Sequence, residues 1–461
     1  MKDILNKVVQ AAIQNSGADY AEIRAQKLHK TMLTIEEERV EGAKQGIENG
    51  AALRVLVDGA WGFASVGTLD VQTLVKVVSD ACKMAKVASS RLKNPIKLVE
   101  TEAIEDKISI TPKKDPSKIS VEDKIKTTVT MSKRILDYDR RIKSCTIDYL
   151  DSTGKTYFMN NEGTYIEQDK LHIWSRLLAT ATEANIFTYS REEIGSTAGY
   201  EVFDIETPEI VAERTAKRAI AQLKAKPPRG GTYPVILGPN VVGVFVHEAF
   251  GHLAEADLTL SGSVLNDKLG RKIASDVVTF YDDGSIEGAF GSFHYDDEGV
   301  PTEKTLLVED GVVVGLMHNR ETAQKLNAEP TGNARAEDFR FEPIIRMRNT
   351  YMNPKDHSFE ELMEDIKFGY YLKSFRGGQA NLDGTFQVGI QEAYEIVDGE
   401  LDAPILNASI SGNTLQTLQK VDAVGKDFEL WPGRCGKGQL AFVCDGGPNV
   451  RVKEVLVGGS A

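Results

Sequence analysis

His247, Glu248 and His252 bring two metal-binding side chains and a carboxylate into one short apolar segment, Pro239 to Asp257. Imidazole nitrogens ligate transition metals, and a carboxylate beside them can serve as general base. The familiar zinc spacing sets two histidines four residues apart, about 40° apart around a helix. Here the gap is five residues, about 140° on an ideal helix, so regular winding would not aim both rings at one ion. A single π-turn, or a distortion at Gly251, would bring them together. The spacing therefore predicts irregular winding between His247 and His252.

A carboxylate set among Val244, Phe245, Val246, Ala249 and Phe250 is costly to bury unless it is paired or works on a substrate. The three residues thus predict a metal site. A catalytic zinc site takes three protein ligands and keeps one position for water, whereas a structural site closes with a fourth ligand. Glu255 and Asp257 are near candidates for the third ligand. The distant candidate is Cys435, between Gly433 and Gly436. Its glycine neighbours predict an exposed, tight backbone, and Arg434 and Lys437 would favour its thiolate. Cys82, Cys145 and Cys444 read as buried core residues. Asn333, Arg335 and Arg348 could hold a peptide backbone or its terminal carboxylate, and read equally as loop residues in local salt bridges. His294, near Asp296 and Asp297, reads as an exposed loop histidine.

The elements that must position these groups divide the 461 residues into two domains, because one core rarely grows so large. The break falls at Lys226-Pro227-Pro228-Arg229-Gly230-Gly231, where prolines end a helix and glycines loosen the chain. Residues 1–225 read as a mixed domain of helices and antiparallel strands. Helices are expected at 3–16, at 70–88, from Ser120, and from Thr207-Pro208, with Ser120 and Thr207 as N-caps. Strands are expected at 19–27, 31–36 and 50–58. Antiparallel strands over 145–180 should turn at Ser152-Thr153-Gly154 and at Asn160-Asn161-Glu162-Gly163. A Pro/Lys-rich connection spans 94–118. Residues 232–461 read as strand-rich, with runs at 233–237, 304–308, 312–317, 386–390 and 393–397. Turns fall at Asp310-Gly311 and Asp398-Gly399. One helix, 239–256, interrupts this pattern and carries the histidines. The fold class is α+β.

Hydrophobic residues make up 41% and charged residues 27% of the chain, which excludes a disordered, collagenous or disulfide-built protein. A net charge of −13 excludes a broad nucleic-acid face and gives no attraction to anionic lipid. No apolar run is long enough to span a membrane. The first residues carry charges where a signal peptide needs an apolar stretch. Four cysteines without Cys-x-x-Cys spacing read as a reducing, cytoplasmic compartment.

Further motifs accompany the histidines. They are Gly50 to Val55, Trp61 to Ser65, Asp296 to Gly299, Pro330 to Arg335, Arg346 to Tyr351, Asp422 to Phe428, Cys435 to Gln439, and Val457-Gly458-Gly459. With His247 to His252 and Glu255-Ala256-Asp257, they resemble the TldD/PmbA family of metalloproteases, also described as modulators of DNA gyrase. That family has a catalytic TldD branch, which keeps His-Glu-x-x-x-His, and a PmbA/TldE branch, which has lost it. This chain resembles the first.

The resemblance implies a zinc (Zn2+) peptidase for short or unfolded peptides, working in a closed cavity. His247, His252 and Cys435 would be the ligands, and Glu248 the base acting on water held by the ion. It also implies a dimer, of two copies or with a PmbA/TldE-type subunit. Glu255 and Asp257 then become supports that orient a ligand imidazole. Ala336 departs from the family, whose catalytic members often carry a second arginine there. The competing class is a non-enzymatic regulator that binds DNA gyrase or another partner.

Overall fold

The computed structural model describes residues 1–459. Seven strands build the N-terminal sheet: β1 (Tyr20–Glu36), β2 (Arg39–Val57), β3 (Ala60–Val66), β4 (Glu105–Ile108), β5 (Ile142–Asn160), β6 (Tyr165–Glu183) and β7 (Ile186–Ser196). Their order is β3-β2-β1-β5-β6-β4, and β7 pairs with β6 as well. Only the β4–β6 pairing is parallel.

Side chains alternate faces along a strand, and the two faces here do different work. On one, Ile23 and Leu53 pack under α1 (Lys2–Gln10) and α2 (Val71–Ser89). On the same face, Ile147, Ile173 and Leu177 pack under α3 (Val121–Tyr138), α4 (Val202–Ile205) and α5 (Pro208–Gln222). The opposite face carries Glu22, Arg24 and Arg54 against the C-terminal half. Arg54 joins Glu22 at 2.8 Å and Glu298 at 2.6 Å, with all three side chains buried.

The C-terminal half holds two larger sheets. In one, β8 (Gly231–Leu237), β15 (Phe368–Ala380), β16 (Thr385–Val397), β18 (Ala408–Asn413) and β22 (Val450–Gly459) pair in the order β15-β8-β22-β18-β16. A direct β15–β16 pairing closes that ring. β17 (Glu400–Ile405) and β19 (Val421–Val424) flank it. The other sheet contains β9 (Phe280–Asp283), β10 (Lys304–Glu309), β11 (Val312–Val313), β14 (Asn349–Met352), β20 (Glu429–Gly436) and β21 (Leu440–Gly447), ordered β11-β10-β9-β14-β21-β20. A short pair, β12 (Ala334–Arg335) and β13 (Ile344–Ile345), lies apart. Between the sheets runs α6 (Pro239–Val246), all of whose residues are buried. A helix apolar at every position but Asn240 belongs in such a place. Val242, Phe245, Phe250 and Leu253 share one core with Phe280, Leu307, Val388 and Val450.

The fold is α+β. Several elements are longer than the sequence patterns predict. The expected strands 19–27 and 31–36 are one strand, because β5 pairs without interruption with β1 from Glu22 to Glu36. Residues 39–49, rich in glycine and charge, continue the strand expected at 50–58. Ser152-Thr153-Gly154 is not a turn. Gly154 sits inside β5, where an added Cβ would meet the Lys27 carbonyl at 2.1 Å, so glycine there serves close strand approach. The turn expected at 160–163 does form. The runs 386–390 and 393–397 are one strand, while the run at 312–317 shortens to Val312–Val313. The connection over 94–118 contains β4. Ser120 and Thr207 cap their helices as expected, accepting from the backbone N–H of Asp123 and Ile210. Among the described residues no helix is long and apolar enough to cross a membrane.

Arg54 ties the N-terminal sheet to the loop at Glu298, and its removal strands two buried carboxylates. Arg54→Ala is expected to lower unfolding free energy by about 3–5 kcal/mol in a urea titration. A loss under about 1 kcal/mol, the size of a surface pair, would show that the network does not join the two halves.

Candidate metal centre

Gly238 precedes α6, and Pro239 occupies the first helical position, where its missing N–H costs nothing. The α-winding stops at Val246. His247–Gly251 is wound as a π-turn and His252–Ala254 as a 3₁₀-turn. A π-turn brings positions i and i+5 into line. The two rings accordingly face one another, with centroids 5.1 Å apart and planes at 89°. Gly251 is needed at the end of this turn. An added Cβ would lie 2.1 Å from Met347 Sδ, so only glycine lets the turn press onto that side chain.

Cys435 comes from β20, opposite Ala441 of β21. Its Sγ lies 3.3 Å from His252 Nε2. One ligand atom each from His247, His252 and Cys435 falls within 4.8 Å of the others. Arg346 fixes this end of the hairpin, donating to the Cys435 carbonyl at 2.8 Å and the Gln439 carbonyl at 2.6 Å. Two nitrogens and a thiolate are the donor set zinc takes. Among the described residues His247 Nδ1 is buried without a hydrogen-bond partner, which is costly unless something else satisfies the ring. The residues present therefore fit a bound ion.

The charges are already arranged. Burial by itself would raise the Cys435 thiol, but His247 and His252 outweigh it and hold the thiol down to about 4. Burial would likewise depress His252, yet Cys435 and Glu255 push it up to about 10. His247 is raised in the same way, with the Cys435 thiolate overcoming the cost of burial. Glu255, wholly buried, sits 2.9 Å from His252 Nδ1. Burial would raise its carboxyl, but His252 and Lys437 hold it below the usual range. Lys437 bridges Glu255 at 3.1 Å and Asp257 at 2.7 Å.

Glu248 is half-buried, with Oε2 4.0 Å from His252 Nε2. It lines a cavity of 230 Å³ together with His247, Cys435, Asn240, Trp431 and Asp445. The N-terminal half reaches this cavity through Arg191, Glu192 and Glu193 of β7. Asp445 stands on β21; burial first, and then the charge of Glu248, push its carboxyl up to about 7 against the pull of His247.

Several expected roles change. Cys435 is buried, not exposed, because β20 carries it inward between Arg434 and Gly436. Its thiolate is favoured by the imidazoles, whereas Lys437 faces Glu255 and Asp257, and Arg434 stacks over Trp174 at 4.9 Å. Glu255 does contact a candidate ligand ring. Asp257 does not, and pairs with Lys437 instead. Arg348 is fully buried and holds Asp282 at 2.7 Å. Asn333 donates to the same carboxylate at 2.7 Å. Arg335 donates to the carbonyls of Met347 and Phe442. Cys82, Cys145 and Cys444 are buried and unpaired. Trp431, Asp445 and the β7 residues carry no sequence signal, since only strand pairing brings them to the cavity, and Asn240 reaches it from the same helix as His247.

A buried His/His/Cys cluster with a glutamate at a cavity wall, on a π-wound helix end, is the kind of site a metallopeptidase uses. Family models agree along the chain. Residues 21–85 match PmbA/TldA metallopeptidase domain 1, residues 114–223 its central domain, and residues 230–459 its C-terminal domain. A metalloprotease of Methanocaldococcus jannaschii is 42% identical, over 94% of this chain and 96% of its own. A zinc metalloprotease TldD homolog of Saccharolobus solfataricus is 35% identical, over 96% of this chain and 97% of its own. A Thermotoga maritima structure described as a modulator of a DNA gyrase superposes with a TM-score of 0.80 at 23% identity, covering 99% of each chain. TldE of Thermococcus kodakarensis superposes with a TM-score of 0.78 at 21% identity, over 99% of this chain and all (100%) of its own. The chain belongs to the PmbA/TldD metallopeptidase family.

A metal-free centre held as imidazolium and thiolate must lose protons when an ion binds, because ligand imidazoles are neutral. Zinc titrated calorimetrically at about pH 8, in two buffers of different ionisation enthalpy, should release about one proton or more per ion. A binding heat independent of buffer would contradict the charge arrangement around His252.

Proposed function

We propose that the chain is a zinc-dependent peptidase acting on short or unfolded peptides, with His247, His252 and Cys435 holding the ion and Glu248 activating water. The observation that carries this reading is the meeting of three candidate ligand atoms within 4.8 Å at a cavity that Glu248 also lines. The metalloprotease names of the relatives support the reaction class, and one relative's name includes zinc. When bound, the ion would polarise the scissile carbonyl and make nearby water more acidic.

The protein's own groups supply the rest. A Glu248 oxygen takes the proton from the attacking water and passes it to the departing amine nitrogen. Glu255 accepts from His252 Nδ1, keeping Nε2 directed at the cluster, and Lys437 balances the Glu255 charge. A cavity of 230 Å³ has no room for a folded domain, which favours short or unfolded substrates. A dimer, of two copies or with a PmbA/TldE-type subunit, belongs to the same proposal and rests on family membership. The unpaired cysteines fit a cytoplasmic setting.

Glu248→Gln should keep its zinc and lose about 10²–10⁴-fold in kcat on an unstructured peptide. Zinc content is measured on the same sample. Full activity with normal zinc would remove Glu248 from the mechanism.

A further inference from the structure

Asn240 lies on α6, seven residues before His247, with regular α-winding between them. Seven residues are close to two turns, so both side chains leave the same face, about 10 Å apart along the axis. Asn240 is more than nine-tenths buried, yet it lines the metal cavity.

Its orientation is fixed by groups that have no choice of role. The Phe375 backbone N–H donates to Asn240 at 2.9 Å, so the amide atom facing it is the oxygen, Oδ1. That N–H is free to do so because β15 shifts its register against β16 on both sides of Phe375. A second chain of bonds agrees. The Arg191 backbone N–H donates to Gln391 Oε1 at 3.0 Å, so Gln391 turns its Nε2 to Ser374 Oγ at 2.9 Å. The Ser374 hydroxyl in turn donates to Asn240 Oδ1 at 3.1 Å. Asn240 Nδ2 is thereby left as the free end. Among the described residues it donates to nothing, and it is not sealed away from the cavity.

A donor held in this way gains from any acceptor brought to it. The acceptor that every peptide carries, whatever its side chains, is the main-chain carbonyl. About 10 Å corresponds to about three residues of extended chain. A second cavity, of 480 Å³, adjoins at Asn240 and Ser374 and gives the chain room to continue. Its arginines, Arg214 and Arg218, are already paired with Glu192, Glu206 and Glu392, so the passage suits main chain and not a charged side chain.

Resting on the peptidase reading, we propose that Asn240 is a substrate-binding residue. Its Nδ2 donates to a main-chain carbonyl of the peptide about three residues from the scissile bond. Binding energy gathered away from the reacting bond positions a flexible substrate, and a main-chain contact does so for any sequence.

The test compares zinc-loaded wild-type, Asn240→Asp and Asn240→Ala proteins, their folding checked by circular dichroism. Asn240→Asp keeps an oxygen for Phe375 and Ser374 and removes both N–H groups. Asn240→Ala removes them without adding charge. The substrates are an unstructured octapeptide, a tripeptide, and octapeptides in which one peptide bond at a time is replaced by an alkene, which has no carbonyl. In wild type, the alkene at one position about three residues from the cut should lower kcat/KM about fivefold, the size of one hydrogen bond. In both variants the preference for octapeptide over tripeptide should fall by about as much, and the alkene at that position should cost nothing further. The same preference in all three proteins, as when water alone satisfies the amide, would overturn the role of Asn240. So would an alkene loss that persists in both variants. If wild type still cleaves the octapeptide, only that role falls. If zinc-loaded wild type cleaves none of the peptides, the peptidase reading falls with it.

Discussion

Two imidazoles five residues apart can converge only if the helix that carries them gives up its regular hydrogen bonding for one turn. Everything else at the centre follows from that concession. The π-turn at His247–Gly251 replaces α-helical bonds by wider ones, the His252 N–H donating to the His247 carbonyl, and the surroundings hold it in that form. They do so by burial: α6 is enclosed by both C-terminal sheets, and Phe250 packs on Phe280 with ring centroids 5.0 Å apart. Gly251 closes the turn against Met347.

The third member arrives from a different sheet, and so the β20–β21 hairpin must be fixed relative to the helix. Arg346 grips two of its carbonyls. Lys437, two residues past Cys435, reaches the Glu255–Asp257 segment and ties the hairpin to the chain just beyond the histidines. One lysine thereby joins both sides of the centre and balances the carboxylate that orients His252. The N-terminal sheet contributes a wall to the cavity through β7. It is itself held to the C-terminal half by the buried Glu22–Arg54–Glu298 network. Access to the cavity therefore depends on how the two halves dock, and not on the C-terminal half alone.

The part of the centre legible in the sequence was the part built from local chain. His247, Glu248 and His252 lie within six residues, and their spacing alone demanded the irregular turn. Glu255 was legible as a neighbour of that turn. Cys435 was not singled out by spacing, because it lies 183 residues from His252 on a strand that only the fold brings to the helix; glycine neighbours suggested a special backbone but pointed to exposure where there is burial. Trp431 and Asp445 were invisible for the same reason. Among the elements, capped helices were read closely because Ser120 and Thr207 mark their starts locally. Long strands were broken into pieces because a glycine or a charged stretch looks like a turn when the neighbouring strand is unknown. Arg348 and Asn333 read equally as groups for a substrate and as residues in local salt bridges, and the position of Asp282 shows that both hold one buried carboxylate.

The central claim is that His247, His252 and Cys435 act as one metal-binding unit. Its most direct test is the metal content, per subunit, of purified wild-type and Cys435→Ser proteins measured side by side. The account predicts about one zinc per wild-type subunit, as three protein ligands with an open position require, and a clear loss in the variant. Zinc retained at the wild-type level in Cys435→Ser, with the fold intact by circular dichroism, would contradict it.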